Sequence, residues 1–193
     1  QTALALPLAL DLVAPADRAS VTAALVDDIE RRGHASSGAV GFRYWLRALV
    51  DAGRSDLICR MATQREKPGY AYQLAQGNTT LAESWTGQRG ASQNHFFLGQ
   101  IVEWFYRDLA GIDADPAAPG FRRVIVRPQP AGGLAWVEAG YRSIRGPIAV
   151  RWERTDGRFR LDVELPANTT GDIHVPARTR ASVQEGGRRA EAS

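Results

Sequence analysis

The stretch "GNTTLAESWTG", residues 77–87, sets one carboxylate, Glu83, two positions before an indole, Trp85, and shortly after two threonines, Thr79 and Thr80. Glycine stands at both ends, so a loop and not a regular element carries the acid. A carboxylate held over a cleft can serve as general base. Aromatic rings beside it can stack on the apolar face of a sugar and exclude water. Tyr70 and Tyr72 share the same turn-rich span as Trp85, which makes these three rings candidate substrate contacts. The threonines can fix the direction of the acid by bonding either it or the backbone. The same pattern also fits a solvated or helix-capping Glu83 with Trp85 anchoring the loop to the core. Residue type and spacing leave both readings open.

His95, in "SQNHFF", opens a helical pattern and could donate to a substrate hydroxyl or simply mark the start of that helix. His34 borders a glycine-rich loop and His174 lies in a strand pattern; neither has a partner at metal-ligand spacing. HExxH, Cys clusters, EF-hand loops, P-loops and a nucleophile elbow are all missing from the sequence, so no metal or cofactor is expected. Glycoside hydrolysis ordinarily needs a second carboxyl group. Glu66, Asp51 and Glu103 are available, but each lies within or at the end of a helical pattern, where surface or packing roles are expected.

To position these groups the chain must bury a core, and a hydrophobic content of 44% with 23% charged residues suffices for that. The formal net charge is +3, carried almost wholly by arginine, with Lys67 the single lysine. Acids and arginines are interspersed, so the concentrated basic stripe that nucleic acid requires is absent. Cys59 sits in "DLICRMA", a buried helix face where a thiol acts as a small hydrophobe. No apolar run reaches the roughly 18 residues that span a bilayer. "LALPLAL" is interrupted by Pro7, ends at Asp11 and lacks the basic leader of a signal peptide, so no compartment is assigned.

Leu4 to Val13 is apolar nearly all round, predicting a helix buried among other helices. A second helix follows, with Pro15 and Asp17 in its first turn, Val21, Leu25, Val26 and Ile29 at helical spacing, and Gly33 as its stop. "RYWLRALVDAG" predicts a third and "RSDLICRMATQRE" a fourth, the latter with Ser55 as N-cap. After a long irregular span, "NHFFLGQIVEWFYRDLAGI" predicts a fifth, with Phe97, Ile101, Trp104, Phe105 and Leu109 on its apolar side. A loop of that length inside a domain is usually functional. Beyond "DADPAAPG" the pattern changes to period two, with "TDG" a hairpin signal, predicting a β-sandwich.

Four segments, "GHASSGAVGF", "TQREKPGYAYQLAQGNTTLAESWTG", "SQNHFFLGQIVEWFYRDLAGI" and "PGFRRVIVRPQP", occur in the order found in bacterial α-L-rhamnosidases, glycoside hydrolase family 78. The chain resembles that family along essentially its whole length up to the tail. The resemblance implies a partial (α/α)6 helical barrel followed by an antiparallel β-sandwich. Residues 1–115 would be the last part of the catalytic barrel, 120–185 the sandwich and 186–193 a flexible tail. It also implies an inverting hydrolase without a cofactor, in which one glutamate protonates the leaving oxygen and another activates water. The family's Thr-Thr-hydrophobic-x-Glu-x-Trp segment places the general base at Glu83 and the following tryptophan at Trp85. Its Ser-x-Asn-His segment places a substrate-contacting histidine at His95, while Tyr70 and Tyr72 stay candidate contacts by residue type alone.

Ala82 and Tyr70 depart from the family pattern, each standing where tryptophan is frequent, so one pocket wall would differ in shape. The general acid belongs to earlier barrel helices, so Glu83 would be half of a pair. The chain opens on Gln1 with its apolar pattern already running, which reads as a fragment cut in mid-helix. Its expected partners are a rhamnose-containing glycoside and the missing barrel half or an oligomeric partner, with neither nucleic acid nor membrane involved. The isolated chain is expected to be inactive. Two alternatives stay open: a non-catalytic carbohydrate-binding or interaction module, and an (α/α)6 hydrolase for a different sugar.

Overall fold

In the computed structural model, which describes residues 1–87 and 91–189, the helical repeat of Val21, Leu25, Val26 and Ile29 lies on α2 (Arg18–Arg32). Leu25 and Ile29 are fully buried, and the helix ends at Gly33, whose N–H donates to the Ile29 carbonyl. Before it runs α1 (Thr2–Ala9), and after it α3 (Ala39–Asp51), α4 (Ser55–Thr63) and α5 (Tyr70–Ala75). The helical stretch that follows changes pitch twice: a 3₁₀ segment at Phe96–Gln100, one α-turn, α6 (Ile101–Trp104), and a π-turn at Phe105–Leu109.

Five expectations need correction. The first helix is shorter than its apolar run, because Asp11 takes a left-handed conformation with φ of 53° and stops it. It is also not buried all round: Ala5 and Leu8 are, whereas Leu10 and Leu12 are 47% and 71% exposed. Ser55 is the first helical residue of α4 and not its N-cap; it is buried, and its hydroxyl accepts from Trp104 Nε1 at 3.3 Å. The span read as irregular contains α5, closed between Gly69, whose carbonyl accepts from Gln73 N–H, and Gly77. The two pitch changes also rotate the fifth predicted helix, so that Leu98 is buried and Phe105 is 43% exposed.

The chain divides into two compact units, Gln1–Trp104 and Phe105–Ser193. The compositional break at Asp113–Gly120 therefore lies inside the second unit. Residues 105–114 belong there because their backbone groups are used by it: Gln129 N–H donates to Asp108 O, and Arg127 N–H to Gly111 O.

The second unit has a three-stranded sheet of β1 (Ile112–Ala114), β2 (Arg123–Val126) and β6 (Thr170–Ile173), in the order β1-β2-β6. A second sheet holds β3 (Trp136–Ser143), β4 (Gly146–Thr155) and β5 (Arg158–Glu164) in sequence order. Ile112, Val124 and Val126 of the first sheet share a buried cluster with Ile148 and Val150 of the second, the packing of a sandwich. "TDG" makes the β4–β5 hairpin, with Asp156 and Gly157 both at positive φ as a two-residue turn of this hand requires. One strand pair departs from the antiparallel expectation: β2 and β6 run parallel, Arg123 opposite Thr170 through Val126 opposite Ile173. The chain leaves β5 in one sheet and crosses to the other, and such a crossover permits either direction, unlike a hairpin. Of the expected tail, residues 186–189 complete a small hairpin of β7 (Gln184–Glu185) and β8 (Arg188–Arg189); residues 190–193 lie outside the described residues.

Trp152 ties this unit together. Its ring is 0% exposed, stacks on Phe159 at 5.8 Å, and its indole N–H donates to the Leu109 carbonyl at 2.8 Å. That carbonyl sits at the end of the π-turn, where helical partners run out. Trp152→Phe keeps most of the apolar volume but leaves the carbonyl without its donor. We expect a loss of about 2 kcal/mol in urea unfolding, from the lost bond plus the small cavity.

Candidate active site

Every sequence-predicted site residue lies in the first unit, on α5 or on the loop and short 3₁₀ lead-in that follow it. The loop is laced to itself across the described residues. Glu83 N–H donates to Ser92 O at 2.8 Å, His95 N–H donates to Leu81 O at 2.8 Å, and Thr80 Oγ1 bonds the Gln93 carbonyl. The backbone around the acid thus runs beside the backbone that leads into the histidine. Alternation across this lacing buries Ala82 completely and turns Glu83 outward, exposed. One carboxylate oxygen of Glu83, Oε2, accepts from Ser92 N–H at 3.2 Å; Oε1 accepts nothing from the described residues. The carboxylate is therefore aimed by one backbone amide and has no second partner among the described residues.

Of the two threonines, Thr80 steadies the loop and not the acid. His95 is half-buried, stacked parallel to Phe96 at 5.9 Å and edge-on to Phe97 at 5.0 Å. Its Nδ1 is buried and has no partner among the described residues, which leaves Nε2 as the ring's outward nitrogen.

The rings occupy a different place from the one their residue types suggest. Trp85 meets Phe42 of α3 at 4.9 Å and Tyr70 at 5.2 Å, both edge-to-face, and its indole N–H donates to Ser37 O at 2.6 Å. Tyr70 also meets Phe42, at 6.2 Å, and its hydroxyl donates to the Leu98 carbonyl. Burial pushes the Tyr70 hydroxyl far above its ordinary range, so it stays a donor. Phe42 in turn stacks on Trp45 at 5.5 Å. The space left among these rings is about 10 Å³, enough for one water at most. Tyr70 therefore packs beneath the loop, and Trp85 anchors the loop while keeping one side partly exposed. Tyr72, two positions along α5, is half-buried and points away from this cluster by the helical repeat.

Gln73 was not legible as a site residue. It is 4% exposed, and its Nε2 donates to Ser84 O at 3.0 Å and to Trp85 O at 3.2 Å. The available signal was a glutamine three positions after Tyr70 in an otherwise apolar "YAYQLA", which puts a polar group on the buried face of a helix.

Two of the other candidate acids are engaged by arginines. Asp51 pairs with Arg47 at 3.3 Å and Glu103 with Arg43 at 3.5 Å, while Glu66 lies exposed in the bend after α4. His34 bonds Ala35 O through Nδ1, and His174 continues the β2–β6 pairing through its backbone N–H. Among the described residues no group of three or more His, Cys, Asp or Glu could hold a metal ion, and no helix is long and apolar enough to cross a membrane.

The acid and the histidine thus lie on adjoining backbone over an aromatic seat. Residues 1–109 match the six-hairpin glycosidase domain of bacterial α-L-rhamnosidases, and residues 111–190 match their C-terminal domain. An α-L-rhamnosidase of Streptomyces avermitilis is 35% identical over 187 residues, 92% of this chain and 18% of that protein. One from an Alteromonas species is 29% identical over 92% of this chain and 20% of its own length. Among solved structures, the Streptomyces avermitilis α-L-rhamnosidase complexed with L-rhamnose superposes with a TM-score of 0.86 and 31% identity, covering 96% of this chain and 20% of that one. The α-L-rhamnosidase of Dictyoglumus thermophilum does so with a TM-score of 0.86 and 29% identity, over 96% and 22% respectively. The chain thus spans about a fifth of the length of these relatives. With one domain match covering more than half of its residues and the companion domain following directly, this chain belongs to the bacterial α-L-rhamnosidase family.

Proposed function

We propose that this chain supplies the general-base side of an inverting α-L-rhamnosidase active site, with Glu83 as the base. Glu83 takes a proton from a water whose oxygen attacks the anomeric carbon. The bond from that carbon to the aglycone oxygen breaks on the opposite face, and that oxygen receives a proton from a second carboxyl group. His95 donates from Nε2 to a rhamnose hydroxyl, and the exposed side of Trp85 borders the ring. The observation that carries this reading is the exposed carboxylate of Glu83, aimed by the Ser92 amide in a loop laced to the lead-in of His95. The relative of known structure complexed with L-rhamnose supports the choice of sugar.

The acid is proposed to come from further helices of the six-hairpin domain, in the same polypeptide or a partner. Two features of this unit favour that. Two of the candidate acids, Asp51 and Glu103, are held by arginines, and Leu10, Leu12, Val40, Leu74 and Phe96 leave 47 to 75% of their surface uncovered, apolar surface that a further helical layer would cover.

The test is a set of nitrophenyl glycosides offered to the full-length enzyme, with the first-formed anomer followed by NMR. Cleavage of the α-L-rhamnoside with β-L-rhamnose appearing first is expected. Retention of configuration, or preference for a glucoside or uronide, would remove the proposal.

A further inference from the structure

We infer that Gln73 is a positioning residue for the base loop, acting through Glu83; the inference rests on Glu83 being the base. A side-chain amide enclosed in protein must be bonded or it destabilises the fold, so where it bonds reports what it is there to hold. Gln73 directs both of its described bonds to consecutive carbonyls, Ser84 and Trp85, the two residues that follow Glu83. The Glu83 segment is thus fixed on both of its sides. Ser92 grips it through the two bonds made by the Glu83 amide and carboxylate, and α5 grips it from beneath through Gln73.

These contacts divide the labour. Trp85 supplies anchoring area and an indole bond to Ser37, but an aromatic seat permits sliding in the plane of its rings. A two-carbonyl clamp from one planar amide does not, because both acceptors must stay within hydrogen-bond reach of the same nitrogen. The seat is also tight: a methyl group added at Gly87 would lie 2.6 Å from Asn78 Nδ2 and 3.2 Å from Gln73 Cγ. The loop therefore rests on Gln73 at its far end as well. A general base gains its effect from reach to one water, and a displacement of about 1 Å costs on the order of 10²-fold in turnover.

The experiment uses the full-length enzyme and an activated aryl α-L-rhamnoside. Gln73→Met keeps length and apolar packing while removing both donors. We expect kcat to fall about 30- to 100-fold with KM within about twofold. A positioning residue has nothing to position once the base is gone, so Gln73→Met added to Glu83→Gln should lower the residual rate by no more than about twofold. A merely structural Gln73 would instead lower both backgrounds equally, which overturns the inference. So does unchanged kcat in Gln73→Met. Should Gln73→Met fail to fold, Gln73→Leu removes the same donors with a shorter apolar side chain, and the same kcat-selective, Glu83-dependent loss is expected; its absence counts equally against the inference. Retained activity in Glu83→Gln would instead mean that the base assignment itself has failed.

Discussion

Glu83→Gln in the full-length enzyme should lower kcat for an α-L-rhamnoside by about 10³-fold while KM stays within a few-fold of wild type. The substitution isolates one property. Glutamine has the same length and shape, and its carbonyl oxygen can still accept from Ser92 N–H, as Oε2 does at 3.2 Å. The backbone bond from residue 83 to Ser92 O is untouched. The loop therefore keeps its form, and what disappears is the capacity to take a proton from the attacking water. A group used in the transition state but not in holding the ground state lowers kcat and kcat/KM together. Turnover within tenfold of wild type would show that the exposed carboxylate is a solvated loop acid after all. A rise in KM with kcat preserved would reassign Glu83 to sugar binding.

What could be read from the residues, and what could not, follows the range of the interactions involved. α2 was legible because Leu25 and Ile29 recur at a helical spacing inside one segment, and both are fully buried. The "TDG" hairpin was legible because its conformational requirement is met by adjacent residues. Glu83 and His95 stood out by residue type and neighbours. The role of Trp85, by contrast, is decided by Ser37 and Phe42, more than forty positions away, and no local pattern reports those contacts. The packing of Tyr70 was hidden for the same reason, because the carbonyl that accepts its hydroxyl, Leu98, lies 28 positions on. α5 escaped notice because its six residues hold too few turns to show a period. The parallel β2–β6 pair joins segments separated by a whole second sheet, so its direction is set by the crossover and not by either strand's sequence.

The same distinction between local and distant constraint governs the largest stability effect we expect, at Gly111. This residue links the π-turn to β1 with φ of 90°, a conformation that side chains disfavour by about 1–2 kcal/mol. A Cβ there would lie 2.3 Å from Pro128 N and 2.5 Å from Arg127 C. These are backbone atoms, so no rotamer change makes room. They cannot retreat cheaply either. Arg127 N–H donates to Gly111 O at 2.9 Å, and the preceding residue, Val126, is paired with Ile112 on one side and Ile173 on the other. Making space means separating β1 from β2, which opens the cluster of Ile112, Val124, Val126, Ile148 and Val150. Adding overpacking of roughly 1–3 kcal/mol to the conformational cost, Gly111→Ala should destabilise the second unit by about 4 kcal/mol, a large part of what a domain has. Gly140→Ala is the matched control, since a methyl on that exposed β3 position meets nothing within 4 Å and should change stability by less than about 0.5 kcal/mol. Urea unfolding, followed by fluorescence in a background where the other four tryptophans are phenylalanine so that buried Trp152 alone reports, separates the two. Equal midpoints for the two variants would mean that the strand pair yields without resistance and that the close approach at Gly111 constrains nothing.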